Sequence, residues 1–300
     1  MYPQRNELKL NSATIPIQIN DGIFLNQKLA REFGKELSGI YSSNEPYPHI
    51  VIDDFLPEEL AENIYINFPN KAEIIKSEYE LNYTGIQEYK RQINPNETNF
   101  YNRNVFGFFN SAPFLQFLEA LTSIQALIPD SYFNGGGFHE ISRGGKLGVH
   151  ADFRINEQLH LSRRLNVLIY LNQNWSDEWG GDLEIWDRDM KNKVHSISPI
   201  FNRCVIFNTD AYSYHGHPDP LNCPADVTRK SIALYYYTAS KAIYGEVPSS
   251  TTMYVSRPKE NTLTKRKILK LRLQNYAKDI LPPILFRALR NLKGRNRNFH

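Results

Sequence analysis

Residues 148–153 read Gly148-Val149-His150-Ala151-Asp152-Phe153, and about sixty residues later the chain reads Ser213-Tyr214-His215-Gly216-His217. His150 and Asp152 are two apart, so in an extended segment they point to the same side. If His215 arrives from a distant strand, two imidazoles and one carboxylate can grip one face of a metal and leave the opposite face open. His217, two residues on, is the competing third ligand. A lone H-x-D pair is a weak signal, and its weight here comes from what surrounds it.

From residue 132 onward the texture is short β-rich runs parted by turns: Gly137–Ile141, Leu147–Phe153, Leu165–Leu171, Gly181–Trp186, Val194–Ser198, Cys204–Asn208 and Lys230–Thr238. Seven such runs point to an antiparallel sandwich or barrel, and a jelly roll is the commonest container of that type. In the last run Arg229 and Ser231 share a side, so a guanidinium and a hydroxyl can converge on one carboxylate, with the phenol of Tyr170 as a second donor. A facial 2-His-1-carboxylate set with vacant positions suits Fe(II), and arginine suits a carboxylate better than lysine because its fork is bidentate. Lys230 is expected on the other side of the strand. Gly135-Gly136-Gly137 and Gly180-Gly181 read as turns and bulges, since no lysine or helix start follows as in a phosphate loop. His139 and Glu140 read as pocket-lining or structural, and His160 as solvated. Trp175, Trp179 and Trp186 read as core or rim packing, or as one wall of a substrate site. Arg154 is placed at the pocket mouth, and Asn166 and Asn208 in the cavity lining.

The N-terminal half supplies support. Leu25 to Leu37 reads as a helix, His49–Leu56 as a strand, and Pro57-Glu58-Glu59 as the start of a second helix, where proline loses no bond and acids meet the dipole. Apolar positions from Phe114 to Leu127 recur at helical spacing, which predicts a buried helix over 111–128. Residues 78–104 are polar and dotted with aromatics, and read as a long lid, binding loop or solvated connection. Residues 239–254 read as a closing loop.

The 300 residues, 41% of them hydrophobic, suffice for one substantial core. Two cysteines, Cys204 and Cys223, make no disulfide framework. The first twenty residues lack an apolar signal core, and no stretch has the length of a spanning helix; a cytoplasmic location is the expectation. The net charge of +3 hides an asymmetry. Residues 255–300 carry 13 Lys/Arg against 2 Asp/Glu, leaving 22 against 30 in the rest. The expected division is therefore 1–254, with its β-core at about 130–240, and a basic amphipathic helical tail at 255–300. Such a tail can pack on its own acidic body or a protein partner, or lie on an anionic membrane surface; nucleic acid ranks last.

The runs GGGFHEISRGGKLGVHADF (135–153), RRLNVLIYLNQNWSDEWGGDLEIWD (163–187), SPIFNRCVIFNTDAYSYHGHPDP (198–220) and RKSIALYYYT (229–238) together resemble the 2-oxoglutarate- and Fe(II)-dependent dioxygenases, most closely the prolyl 4-hydroxylase-like branch. HIVIDDFLPEEL (49–60) resembles the start of that family's domain. The resemblance implies a mainly β fold with flanking helices, in which a double-stranded β-helix (jelly roll) rests on N-terminal helices. It implies that His150, Asp152 and His215 bind Fe(2+), that Arg229 and Tyr170 hold the distal carboxylate of 2-oxoglutarate, and that Ser231 adds a contact. O2 is the second cosubstrate, with ascorbate as an accessory. The implied reaction is hydroxylation of an unactivated C–H bond. A prolyl residue of a peptide or protein is favoured, ahead of a free amino acid or a glycan- or lipid-linked small molecule. A catalytically silent jelly-roll binding module is the alternative of another class. Arg229 stands fourteen residues after His215, a longer gap than the resemblance leads one to expect, so 217–227 reads as an inserted loop.

Overall fold

The computed structural model describes residues 10–69, 87–239, 252–258, 265–266, 268–270 and 273. The N-terminal half carries β1 (Leu10–Ser12), β2 (Ile17–Ile19), β3 (Ile23–Leu25), α1 (Gln27–Ser43), β4 (His49–Asp53), α2 (Glu58–Ile66), β5 (Gln87–Ile93), α3 (Phe100–Phe109) and α4 (Ala112–Thr122). The second half is β-structured: β6 (Ile128–Pro129), β7 (Gly137–Ala151), β8 (Ile155–Asn156), β9 (Leu161–Tyr170), β10 (Leu183–Trp186) and β11 (Lys193–Ile197). It continues with β12 (Cys204–Asn208), β13 (His215–His217), β14 (Arg229–Ala239) and β15 (Met253–Tyr254).

Helix α1 starts where Asn26 Oδ1 accepts from the backbone N–H groups of Lys28 and Leu29 at 2.9 and 3.2 Å, a side-chain N-cap. Its apolar stripe packs on α4. Helix α4 stops at Thr122, six residues short of the expected end, because Ser123 adopts a left-handed φ of 60°. The apolar residues beyond it still go inward: Leu127 is buried, its N–H bonded to the Glu119 side chain at 2.9 Å.

Among the described residues thirteen strands form one sheet, ordered β1-β4-β12-β9-β14-β7-β13-β10-β11, with β5 and β15 also on β7, β6 on β14 and β8 on β9. The two expected runs 137–141 and 147–153 are one strand, β7. Its first half pairs with β14 and its second half with β13, so β7 passes from the larger sheet face to the smaller one and curls the sheet into a jelly roll. Period-2 alternation divides the core into two layers. From β9, β12 and β14, Leu165, Val167, Ile169, Cys204, Ile206, Ile232 and Leu234 pack toward the helices. The residues between them, Leu168, Tyr170, Val205 and Phe207, meet Leu183, Ile185 and Ile197 between the two sheet faces.

Residues 87–104 are ordered structure rather than loop. Strand β5 reads QEYKRQI, and its polarity misleads because one face lines a cavity and the other carries an ion pair. Opposite Ile141 of β7 stand Lys90 on one side and Arg229 on the other; these face the cavity. One step along, Arg91, Glu140 and Lys230 form the outward row, and Arg91 donates to Glu140 at 2.8 Å through Nε. Gln92, His139 and Ser231 then face the cavity again. Of the expected closing loop, Met253 and Tyr254 pair with β7 at Ala151 and His150, and residues 240–251 lie outside the described part. So does most of the basic tail; among the described residues no helix is long and apolar enough to cross a membrane.

Candidate active site

Strands β7 and β13 bring the first two side chains together: His150 and His215 are direct Cα partners, and their rings lie 4.5 Å apart. Asp152 follows two residues after His150, where β7 has just ended. His150 Nε2 is 3.6 Å from Asp152 Oδ1, and His215 Nε2 is 3.6 Å from Oδ2. The donor atoms of all three lie within 4.8 Å of one another. Each imidazole is oriented by its own backbone: His150 Nδ1 meets Gly148 O at 2.8 Å, and His215 Nδ1 meets Ser213 O at 2.9 Å. A carbonyl only accepts, so both protons sit on Nδ1 and both Nε2 lone pairs face the centre. Burial, followed by the charge of His150, pushes the His215 pKa down to about 4, so its ring is neutral at pH 7. Burial alone would raise Asp152; the Arg163 guanidinium overrides it and holds the carboxyl well below its usual range. Two imidazoles and an ionised carboxylate, all buried, form a donor set suited to a divalent metal of the Fe(II) type.

These residues face a cavity of about 660 Å³. Arg229, 5% exposed, enters it from β14; its Nε donates to Gly181 O at 2.8 Å and its Nη2 to the Tyr170 hydroxyl at 3.3 Å. Gly181 has φ +79°, and a Cβ there would meet Leu221 Cδ2 at 2.6 Å and Arg229 Cδ at 3.1 Å, so only glycine lets this carbonyl hold the guanidinium. Ser231 is buried directly opposite Tyr170. The longer spacing between His215 and Arg229 is taken up on the surface: Leu221 exchanges backbone hydrogen bonds with Gly144 and Gly145, and Leu221 and Cys223 pack on Ile141 and Trp175.

Other residues sort themselves around this centre. His217 lies in the cavity wall, 4% exposed, outside the three-residue donor cluster, with no partner on either nitrogen among the described residues. His139 binds Gly135 O through Nε2 at 2.9 Å. Lys230 faces away, its Nζ 5.8 Å from the Phe68 ring. Asn166 lines the cavity, but Asn208 does not; it accepts from the Tyr41 hydroxyl at 2.5 Å. None of the three tryptophans lines it: Trp175 and Trp179 pack edge-on at 5.3 Å, and the Trp186 indole donates to Glu184 at 2.9 Å.

Two cations of the cavity wall, Arg163 and Lys90, escaped the sequence. Arg163, 3% exposed, lies 3.1 Å from Asp152 Oδ2 and stacks 3.5 Å over the Tyr235 ring. It donates to Asn166 Oδ1 at 3.0 and 2.7 Å, and Asn166 in turn donates to Asp152 Oδ2 at 2.7 Å. Strict alternation would aim Arg164 inward beside Asn166. Opposite Tyr236 and Tyr237 the register shifts, so that they pair with Leu165 and Arg163 and Arg164 is skipped; such a bulge moves one residue to the other face. The second is Lys90, whose pKa burial lowers to about 8, with Asp152 raising it and Arg229 and Arg163 lowering it.

A facial donor set inside a curled β-sheet, with a buried arginine beside it, is the arrangement that suits a metal-dependent oxygenase of the jelly-roll class. Residues 136–237 match the family model of the 2OG-Fe(II) oxygenase superfamily, and this segment carries His150, Asp152, His215 and Arg229. The chain is similar to mouse (Mus musculus) prolyl 3-hydroxylase OGFOD1, 30% identical over 82 residues, which are 26% of this chain and 15% of that protein. Among solved structures it is similar to a prolyl hydroxylase from Trichoplax adhaerens in complex with a hypoxia inducible factor oxygen degradation domain peptide fragment (TM-score 0.48, 17% identity, 70% of this chain and 91% of that one). A prolyl 4-hydroxylase from Phytophthora capsici gives TM-score 0.46 at 17% identity over 75% of this chain and 70% of that one.

Proposed function

We propose that the protein is a 2-oxoglutarate- and Fe(II)-dependent dioxygenase that hydroxylates a prolyl residue of a peptide or protein. The observation that carries this reading is the convergence of His150, Asp152 and His215 within 4.8 Å at a cavity that also receives Arg229. On this reading the three side chains hold the metal through two Nε2 atoms and one carboxylate. When bound, Fe(II) supplies the oxygen chemistry: 2-oxoglutarate, O2 and the substrate C–H become succinate, CO2 and the alcohol. The chain's own residues bind and orient. Arg229 pairs with the distal carboxylate of 2-oxoglutarate, backed by the Tyr170 hydroxyl and Ser231, and the unpartnered imidazole of His217 offers that ligand one more hydrogen bond. The burial of these groups keeps water from the reacting atoms. The prolyl assignment is supported by the likeness to the mouse prolyl 3-hydroxylase.

The test is an anaerobic titration of the Fe(II) protein with 2-oxoglutarate, followed by oxygen. A visible metal-to-ligand absorption band and release of succinate are expected. Their absence, with the metal shown to be bound, would leave the cavity as a binding module. Arg229→Ala is expected to weaken 2-oxoglutarate binding by about 1.5–3 kcal/mol, or more than tenfold, while Fe(II) stays bound.

A further inference from the structure

Among the described residues three cations, Lys90, Arg163 and Arg229, face the cavity, and the reading above occupies two of them. Arg163 is paired with Asp152 at 3.1 Å, and Arg229 meets the distal carboxylate of 2-oxoglutarate. The two charges of the metal are met by Asp152 and by the other carboxylate of 2-oxoglutarate. Lys90 is left over. Among the described residues its ammonium has no hydrogen-bond or ion-pair partner; Asp152, Arg229 and Arg163 act on it only at longer range. Its place in the fold is specific: the side chain is half-buried and lines the cavity. Among the described residues strand β5 pairs with β7 alone and so forms the outer edge of this part of the sheet, while Arg229 sits two strands inward on the same row. Two strand spacings put their backbones about 10 Å apart, so Lys90 overlooks the rim side of the chamber and Arg229 its interior.

We propose that Lys90 recognises a carboxylate on the primary substrate, an acidic residue beside the target proline, and so makes the enzyme selective for acidic peptides. This rests on the dioxygenase reading and goes beyond it: both carboxylates of 2-oxoglutarate already have partners, so the ion that completes Lys90 comes from the other ligand. Lysine is adequate here because the task is to meet one charge at a flexible distance rather than to grip a planar fork.

The experiment uses the full chain loaded with Mn(II) and 2-oxoglutarate, and two pools of short proline-centred peptides. The pools are identical except that the flanking positions carry Asp and Glu in one, Asn and Gln in the other. Calorimetry is expected to show the acidic pool binding about tenfold tighter, the scale of one charge-assisted contact. Lys90→Met is expected to erase that preference, and Lys90→Arg to keep it, with 2-oxoglutarate affinity unchanged in both. Equal binding of the two pools to the unsubstituted protein, or binding of neither, overturns the proposal without needing a variant to fold. So does a Lys90→Met protein that loses 2-oxoglutarate affinity and keeps the preference, since Lys90 would then belong to the cosubstrate. Failure of the unsubstituted Fe(II) protein to give its 2-oxoglutarate absorption band would instead sink the dioxygenase reading itself.

Discussion

At the scale of single residues, Asp152 has to stay ionised in a place that disfavours charge. Burial raises its pKa, and the guanidinium of Arg163 is the largest influence against it. The arginine is itself sandwiched, 3.5 Å over Tyr235 and 4.8 Å from the Phe153 ring, and tied to Asn166. It thus occupies one edge of the carboxylate and leaves Oδ1, which faces His150 Nε2, to the site. Arg163→Met removes the cation and leaves the carboxylate buried, a change that costs about 3–5 kcal/mol of stability when one partner of a buried pair is deleted. Metal affinity is expected to fall about 10–100-fold, as for other groups that orient a ligand from behind. The sign of the pH effect separates this from general damage. With Arg163 gone, burial raises the Asp152 pKa, so the acid limit of Mn(II) binding moves to higher pH, measurable by electron paramagnetic resonance across a pH series. Arg163→Lys is expected to recover part of that shift, because it restores the charge without the fork. An unmoved acid limit would mean that Arg163 only fills space.

At the scale of elements, the contact of α1 with α4 decides the sign of a substitution that helix propensity alone gets wrong. Glycine to alanine inside a helix ordinarily gains up to about 1 kcal/mol. At Gly34 an added Cβ would collide with the Phe117 carbonyl and lie 2.9 Å from Ala120 Cβ; overpacking of this kind costs about 1–3 kcal/mol. Gly39, five residues along α1, has nothing within 4 Å of such an atom. Gly34→Ala is therefore expected to lower the urea midpoint and Gly39→Ala to raise it, the slope staying constant. Two changes of the same sign would show that the two helices yield. This contrast also marks what could be read from the chain. Strand β12 (Cys204–Asn208) has the bounds its apolar run predicts, and α2 begins after Pro57 as expected, because in both places local chemistry and burial agree. Strand β5 was illegible because its inward face is polar for the cavity's sake. Arg163 was illegible because a single bulge inverts the alternation on which sidedness is judged. His150, Asp152 and His215 could be nominated because two of them share a short motif, while their meeting depends on the pairing of β13 with β7, which no local pattern encodes.

At the scale of the whole molecule, the larger sheet face is covered by helices on one side and by the second core and the cavity on the other, so strands such as β4 have no wet face. His49 opens β4 fully buried; its Nδ1–H bonds Tyr47 O at 2.9 Å, its Nε2 has no partner, and its ring lies 5.1 Å from that of His195. Burial pushes its pKa down from 6.5 to about 4, with the hydrogen bond to Tyr47 working weakly the other way and His195 adding to the fall. In the unfolded chain the imidazole takes its proton near 6.5, while the folded protein refuses it until about 4. Between those values the unfolded state binds more protons, so stability declines as the pH drops through that window and is unaffected by this residue above it. A shift of this size corresponds to about 3 kcal/mol at the acid end, a large share of the roughly 5–15 kcal/mol that holds a domain together. His215, with a pKa near 4 for related reasons, adds to the same slope in the metal-free protein, so the measurement that isolates His49 is a difference. Urea unfolding of the metal-free chain and of its His49→Phe variant from pH 7 to pH 4.5 should give curves that converge with acidification, the variant losing stability less steeply. Parallel curves would mean that the strand admits a proton at His49 as readily as open chain does, and that this junction of the two cores is far less dry than its packing indicates.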